Sequence, residues 1–117
     1  MARRGSECRW RPLPREHGPS VRYAAPTVWT GQALVIWGGV AAAQAAGPDG
    51  ESKSHASRML GDGACYTPAT DRWTPLPLEG APRPRASHSA IWTGAELLIW
   101  GGGSDRGSFD DGARLAL

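Results

Sequence analysis

The 117-residue sequence predicts an all-β protein of short antiparallel strands, and three observations carry that prediction. Sixteen glycines and ten prolines make up more than a fifth of the chain, a composition that favours frequent turns over long helices. A hairpin pattern occurs twice, as V-W-T-G-Q-A-L-V-I-W-G-G at Val28–Gly39 and I-W-T-G-A-E-L-L-I-W-G-G at Ile91–Gly102. The segments ahead of the hairpins are copies as well, so each hairpin belongs to a longer repeat.

The chain opens on a basic stretch. Arg3, Arg4, Arg9, Arg11, Arg15 and Arg22 are opposed there only by Glu7 and Glu16, yet the net charge is only +2. No aromatic platform or groove-reading helix accompanies this cluster, so residues 1–7 are expected to be an unstructured basic tail and not a nucleic-acid arm. The start M-A-R-R-G-S-E-C-R-W lacks the apolar run of a signal peptide, and no apolar run approaches the ~20 residues of a membrane span. Two cysteines, Cys8 and Cys65, allow one disulfide by arithmetic, but no framework of spacings supports it.

Next comes R-W-R-P-L-P at Arg9–Pro14, which matches R-W-T-P-L-P at Arg72–Pro77. The offset is 63 residues (73 − 10), as it is between the hairpins (92 − 29). Glu16 and Glu79, Pro19 and Pro82, and Arg22 and Arg85 fall into the same register. After the Gly pairs the register shortens: Asp62-Gly63-Ala64 and Asp111-Gly112-Ala113 are 49 apart (111 − 62), so the first copy carries 14 extra residues (63 − 49). The underlying period lies close to the roughly 50 residues of a kelch-type unit.

Strands follow from the punctuation. Arg9–Pro12 reads as an outer strand D, and a full unit A-B-C-D spans 25–75 with an inserted B–C loop at 40–61. In that unit Gly63–Thr67 is strand C, Pro68–Asp71 a turn, and Arg72–Pro75 strand D. A partial unit A-B-C occupies 87–117, with His88–Trp92 and Glu96–Trp100 joined by a Thr-Gly turn. The hairpin arms are apolar throughout, as in a sheet covered on both faces.

With its hairpin, Gly38-Gly39, then Tyr66 and Trp73, the chain resembles the kelch motif, a double Gly followed by a spaced Tyr and Trp. The marks Trp29, Trp37, Trp92, Trp100 and Gly101-Gly102 are similar to those of bacterial kelch proteins related to the central domain of galactose oxidase. The resemblance implies a partial kelch-type β-propeller, about two four-stranded blades' worth of strands. One departure stands out: Leu115 occupies the place of Tyr66 in the second copy.

A blade cannot bury its faces alone. The expectation is therefore a fragment completed by the remaining blades of a longer chain, or else a homo-oligomer in which N-terminal D strands complete neighbouring sheets. The resemblance places binding loops on the D–A and B–C connections. The D–A loop Leu78–Ala86 offers Glu79, Arg83 and Arg85, and the inserted B–C loop offers Asp49, Glu51 and His55. Arg83 and Arg85 have the fork geometry for a carboxylate or phosphate, but the recurrence of Arg22 as Arg85 points to a structural pairing.

Asp105, Asp110 and Asp111 lack the spacing of a calcium loop, and His88, between Ser87 and Ser89, has no nucleophile–base–acid set. No residue matches the metal ligands of galactose oxidase, and no catalytic, cofactor or metal residue is indicated. The functional expectation is a non-catalytic binding scaffold for a protein or carbohydrate. The alternatives are a segment of a carbohydrate-active oxidase or hydrolase, and a two-blade sugar-binding unit that oligomerises into a ring. Related bacterial propellers are often exported, while the residues themselves leave the compartment open.

Overall fold

A computed structural model describes residues 8–42 and 58–117. Among these residues there are eleven strands and no helix: β1 (Arg22–Tyr23), β2 (Thr27–Trp29), β3 (Leu34–Trp37), β4 (Val40–Ala41), β5 (Gly63–Thr67), β6 (Arg72–Pro75), β7 (Ser89–Trp92), β8 (Glu96–Trp100), β9 (Gly103–Ser104), β10 (Gly107–Ser108) and β11 (Gly112–Ala116). One sheet has four strands in the order β2-β3-β5-β6, and a second has three in the order β11-β8-β7. The ribbons β1-β4 and β9-β10 complete the set, and every pairing is antiparallel. No helix of the described residues is long and apolar enough to cross a membrane.

The two sheets are built by the same local chemistry. In each A–B turn the Thr hydroxyl accepts from the two amides that follow the glycine: Thr30 from Gln32 (3.2 Å) and Ala33 (3.0 Å), Thr93 from Ala95 (3.2 Å) and Glu96 (3.0 Å). Gly31 and Gly94 take φ of 100° and 104°, a conformation that explains the glycine of each W-T-G. Registers also coincide. Trp29 faces Leu34 as Trp92 faces Leu97, and Trp37 faces Gly63 as Trp100 faces Gly112.

Strands β5, β6 and β8 have the bounds expected from the sequence. Strand β7 begins one residue late, at Ser89, because Ser87 sits at φ 58° and breaks the extended run; Ala24 has the same φ 63 positions earlier. Arg9–Pro12, expected as an outer strand, forms no strand. It pairs with neither of the edge strands β6 and β11, and Trp10 stands fully in solvent at 101% exposure.

The inserted loop is shorter than expected because its ends are stitched. Strand β4 pairs with β1, Met59 bridges Val40, and the Ala41 amide donates to the Arg58 carbonyl at 2.9 Å. Asp49, Glu51 and His55, with the basic tail at 1–7, lie outside the described residues.

The core between the two sheets forms on one face of each. Val35 and Trp37 of β3 meet Leu97 and Ile99 of β8, with Leu76 closing the cluster, and all five are buried. The alternate residues of β8, Leu98 and Trp100, remain 36% and 59% exposed, so coverage of both faces does not extend to the outer side of the second sheet. Burying one Trp is worth at most about 5 kcal/mol, from roughly 200 Å² at about 25 cal/mol/Å². Trp37 is therefore a principal tie between the sheets.

Candidate functional site

The loop ends of the two sheets, where β3 and β8 run into their Gly pairs, hold most of the polar chemistry. There the D–A loop folds its arginine inward. Arg85 is fully buried, its Nε donating to the Arg83 carbonyl (3.0 Å) and its Nη1 to the carbonyls of Gly101 and Asp111 (both 2.9 Å). Nη2 completes an ion pair with Asp111 Oδ1 at 2.7 Å.

Arg22 repeats every one of these bonds. Its Nε donates to the Ser20 carbonyl (3.2 Å), Nη1 to Gly38 (2.9 Å) and Asp62 (3.0 Å), and Nη2 to Asp62 Oδ1 (3.1 Å). Each arginine ties the end of one strand B to the start of its strand C and replaces the ladder bonds that the Gly pair interrupts. Arg85, a candidate binding residue by sequence, is thus a framework residue whose donors are spent within the fold. The Arg85 and Arg83 guanidinium groups hold the Asp111 carboxyl below the usual carboxylate range.

Arg83 differs. Its side chain is exposed, pairs with Asp111 Oδ2 at 3.3 Å, and lies 4.5 Å from the Phe109 ring centre, with Arg85 at 4.3 Å from the same ring. The first copy has Ser20 and Leu60 at the corresponding places, so this Arg–Phe–Asp cluster belongs to the second copy alone. Sequence reading missed Phe109, the only phenylalanine in the chain. Its position directly after a Gly-Ser pair and ahead of two acidic residues gave no strand or repeat signal.

Glu79 is exposed and lines an apolar cleft with Pro77, Ala81, Leu97 and Leu115. The cleft encloses about 60 Å³, room for a side chain and well below the roughly 300 Å³ of a small-molecule pocket. A roomier groove of about 410 Å³ lies between the N-terminal stretch and the β5–β6 turn, bordered by Glu16, His17, Asp71 and Trp73. Two of its polar groups are already engaged. Asp71 Oδ1 accepts from the Tyr66 hydroxyl at 2.5 Å, which raises the Tyr66 pKa, and the Trp73 Nε1–H donates to the Pro14 carbonyl at 2.8 Å.

His88 takes a structural post that its sequence context did not reveal. It is 3% exposed, stacks edge-on against Trp37 with ring centres 5.2 Å apart, and its Nε2 lies 2.9 Å from the Trp37 carbonyl. That geometry makes Nε2–H the donor and leaves Nδ1 unprotonated, without a partner among the described residues. Burial pushes its pKa below the ordinary histidine value. Cys8 and Cys65 are both free thiols, and burial raises the Cys65 pKa. No group of three or more metal-ligating side chains comes together among the described residues.

No family model matches the chain.

Proposed function

We propose that the chain is a segment of a kelch-type β-propeller that serves as a non-catalytic binding scaffold, presenting the loop ends of its sheets to a protein partner. One observation carries this reading: the buried arginine tie is reproduced bond for bond in both sheets, at Arg22 and at Arg85. Two successive sheets with the same internal ties and registers are what a propeller repeat requires.

Against that shared framework, Arg83 and Phe109 are additions at the loop end, exposed and half-buried respectively. Exposed arginine and aromatic side chains are the residue types that anchor protein interfaces. The buried or half-buried groups that acid–base chemistry needs, His88, Asp111 and Tyr66, are all engaged in structural bonds.

Photo-cross-linking from single positions tests the reading. A photoreactive side chain at Arg83 or Glu79 is expected to capture a partner protein, while one at Gln32 or Ala95, in the A–B turns at the opposite strand ends, captures none. Equal capture from both ends, or from neither, would remove the scaffold reading.

A further inference from the structure

We infer that His88 is an acid-sensitive latch between the two sheets: neutral, it closes the loop end of their junction, and protonated, it releases that end while the sheets themselves persist. The bonds that cross the junction, the seat of the imidazole and the comparison with Ala25 lead there.

The two sheets touch in two ways. Away from the loop end they meet through Val35, Trp37, Leu76, Leu97 and Ile99, none of which titrates. At the loop end they are joined by hydrogen bonds. The Gly39 amide donates to the Arg85 carbonyl (2.8 Å), the Arg85 amide to the Leu60 carbonyl (3.3 Å), and the Ser87 amide to the Ala24 carbonyl (2.9 Å). His88 adds a side-chain bond, from Nε2–H to the Trp37 carbonyl at 2.9 Å.

The imidazole serves the junction and not its own strand. Ala25 stands at the equivalent place in the first copy, and the chain turns the same way ahead of both residues, with Ala24 and Ser87 each at φ 58°. Strand β2 forms there without a histidine. What His88 adds is the bond to the other sheet.

The seat fits the neutral ring alone. The ring is buried edge-on against Trp37, and a Cβ on Gly38 would lie 2.6 Å from His88 Cε1, so the Gly pair closes over the carbon between the two nitrogens. Nδ1 is buried with no partner among the described residues. A lone pair left unmatched there is tolerable; a charged N–H is far more costly. Protonation keeps the bond to Trp37 but turns Nδ1 into a second donor with nothing to receive it. Water reaches that donor only when the Arg85–His88 segment draws away from Trp37 and Gly38.

The charges at this end act in the same direction. Arg85, buried on the ring's own segment, opposes a second positive charge. On the side of the first sheet Arg22 donates to the Gly38 carbonyl, while Trp37 presents an indole and a carbonyl to the ring. Gly102, after β8, presents only backbone. The carboxylates of this end, Asp62 and Asp111, are bonded to Arg22 and Arg85, and neither bonds to the imidazole. Release frees the amides of Gly39, Arg85 and Ser87 and moves the loop that carries Arg83. The inference requires no partner at that end, so it stands or falls apart from the scaffold reading.

The test is amide hydrogen exchange of the full chain by NMR from about pH 7.5 to about pH 4, each rate divided by its intrinsic value, with the His88 ring titrated in the same samples. Protection of the Gly39, Arg85 and Ser87 amides is expected to fall about tenfold per pH unit below about 6.5 and to level off at the ring's own midpoint. Amides paired within β3–β5 and β7–β8 are expected to keep theirs. His88→Gln retains a donor for the Trp37 carbonyl and has no proton to gain, so its protection should stay flat over the same range. The wild-type comparison decides the matter by itself if that variant does not fold. Protection that holds while the ring titrates, or a fall shared equally by every ladder amide, would overturn the inference. So would the same fall in folded His88→Gln, or a ring that stays neutral until the whole chain unfolds.

Discussion

Replacing Arg85 with methionine isolates the tie that both sheets share. The change keeps the apolar length of the side chain but strips four hydrogen bonds, at 2.7–3.0 Å, from a fully buried position. The carbonyls of Gly101 and Asp111 each lose a donor, at about 1 kcal/mol apiece for a typical net hydrogen bond. The Arg83 carbonyl loses a third donor on the same scale, while the Asp111 carboxylate, 48% exposed, is taken over by water and adds little. We expect a loss of about 3 kcal/mol by urea unfolding at fixed protein concentration, and nearly the same for Arg22→Met. Arg85→Lys should lose about 2 kcal/mol, since an ammonium cannot reach carboxylate and carbonyls together. A loss below about 1 kcal/mol in Arg85→Met would refute the structural assignment and return Arg85 to the binding candidates.

Three further outcomes follow from the same geometry. Gly102→Ala should destabilise by about 2 kcal/mol or more, because Gly102 is at φ 80° and a Cβ there would lie 2.6 Å from the Ala86 carbonyl oxygen; Gly94→Ala, at φ 104° with open space around it, should cost only about 1 kcal/mol in thermal unfolding. Asp111 has a depressed pKa in the folded state, so its contribution is present above the unfolded value near 4 and is lost as pH falls through the folded value; Asp111→Asn should flatten that acid limb of a stability–pH curve. His88 has a folded pKa below its ordinary value, so its contribution is complete above about pH 6.5 and declines as pH drops toward the folded value; its ring resonances should titrate below the ordinary histidine value by NMR.

How far the sequence disclosed this arrangement depends on whether a feature is local or needs a neighbour. The Thr-Gly turns, strands β5, β6 and β8 and the shared register were readable because each rests on a few adjacent residues whose chemistry is self-contained. The role of Arg85 was half readable: recurrence with Arg22 marked it as structural, but nothing near it in sequence named Asp111, 26 residues away, as the partner. His88 was opaque, since its hydrogen-bond acceptor, Trp37, is 51 residues distant and the first copy has alanine at its position. Arg9–Pro12 carries a strand's sequence without a strand's structure, because pairing is a property of two edges.

The two copies act as an internal control on each other, and that control separates framework from specificity more sharply than residue type does. Arginines are the residues a sequence reading picks out for binding, yet Arg22 and Arg85 make the same bonds in the same order, and a ligand site would have no reason to be duplicated down to the carbonyl it uses. Identity with identical contacts therefore marks the scaffold. Under the scaffold proposal, difference at equivalent places marks the binding end: Arg83 for Ser20 and Phe109 for Leu60 make the second loop end cationic and aromatic. Substituting Arg83 with Ser and Phe109 with Leu rebuilds the first copy's loop end on the second sheet. Both replacements exist in this chain beside an intact arginine tie, so stability should change by less than about 1 kcal/mol. Cross-linking of a partner from Glu79 should nevertheless disappear. Retained capture with that double change would locate recognition elsewhere and show that the differences between the copies are drift.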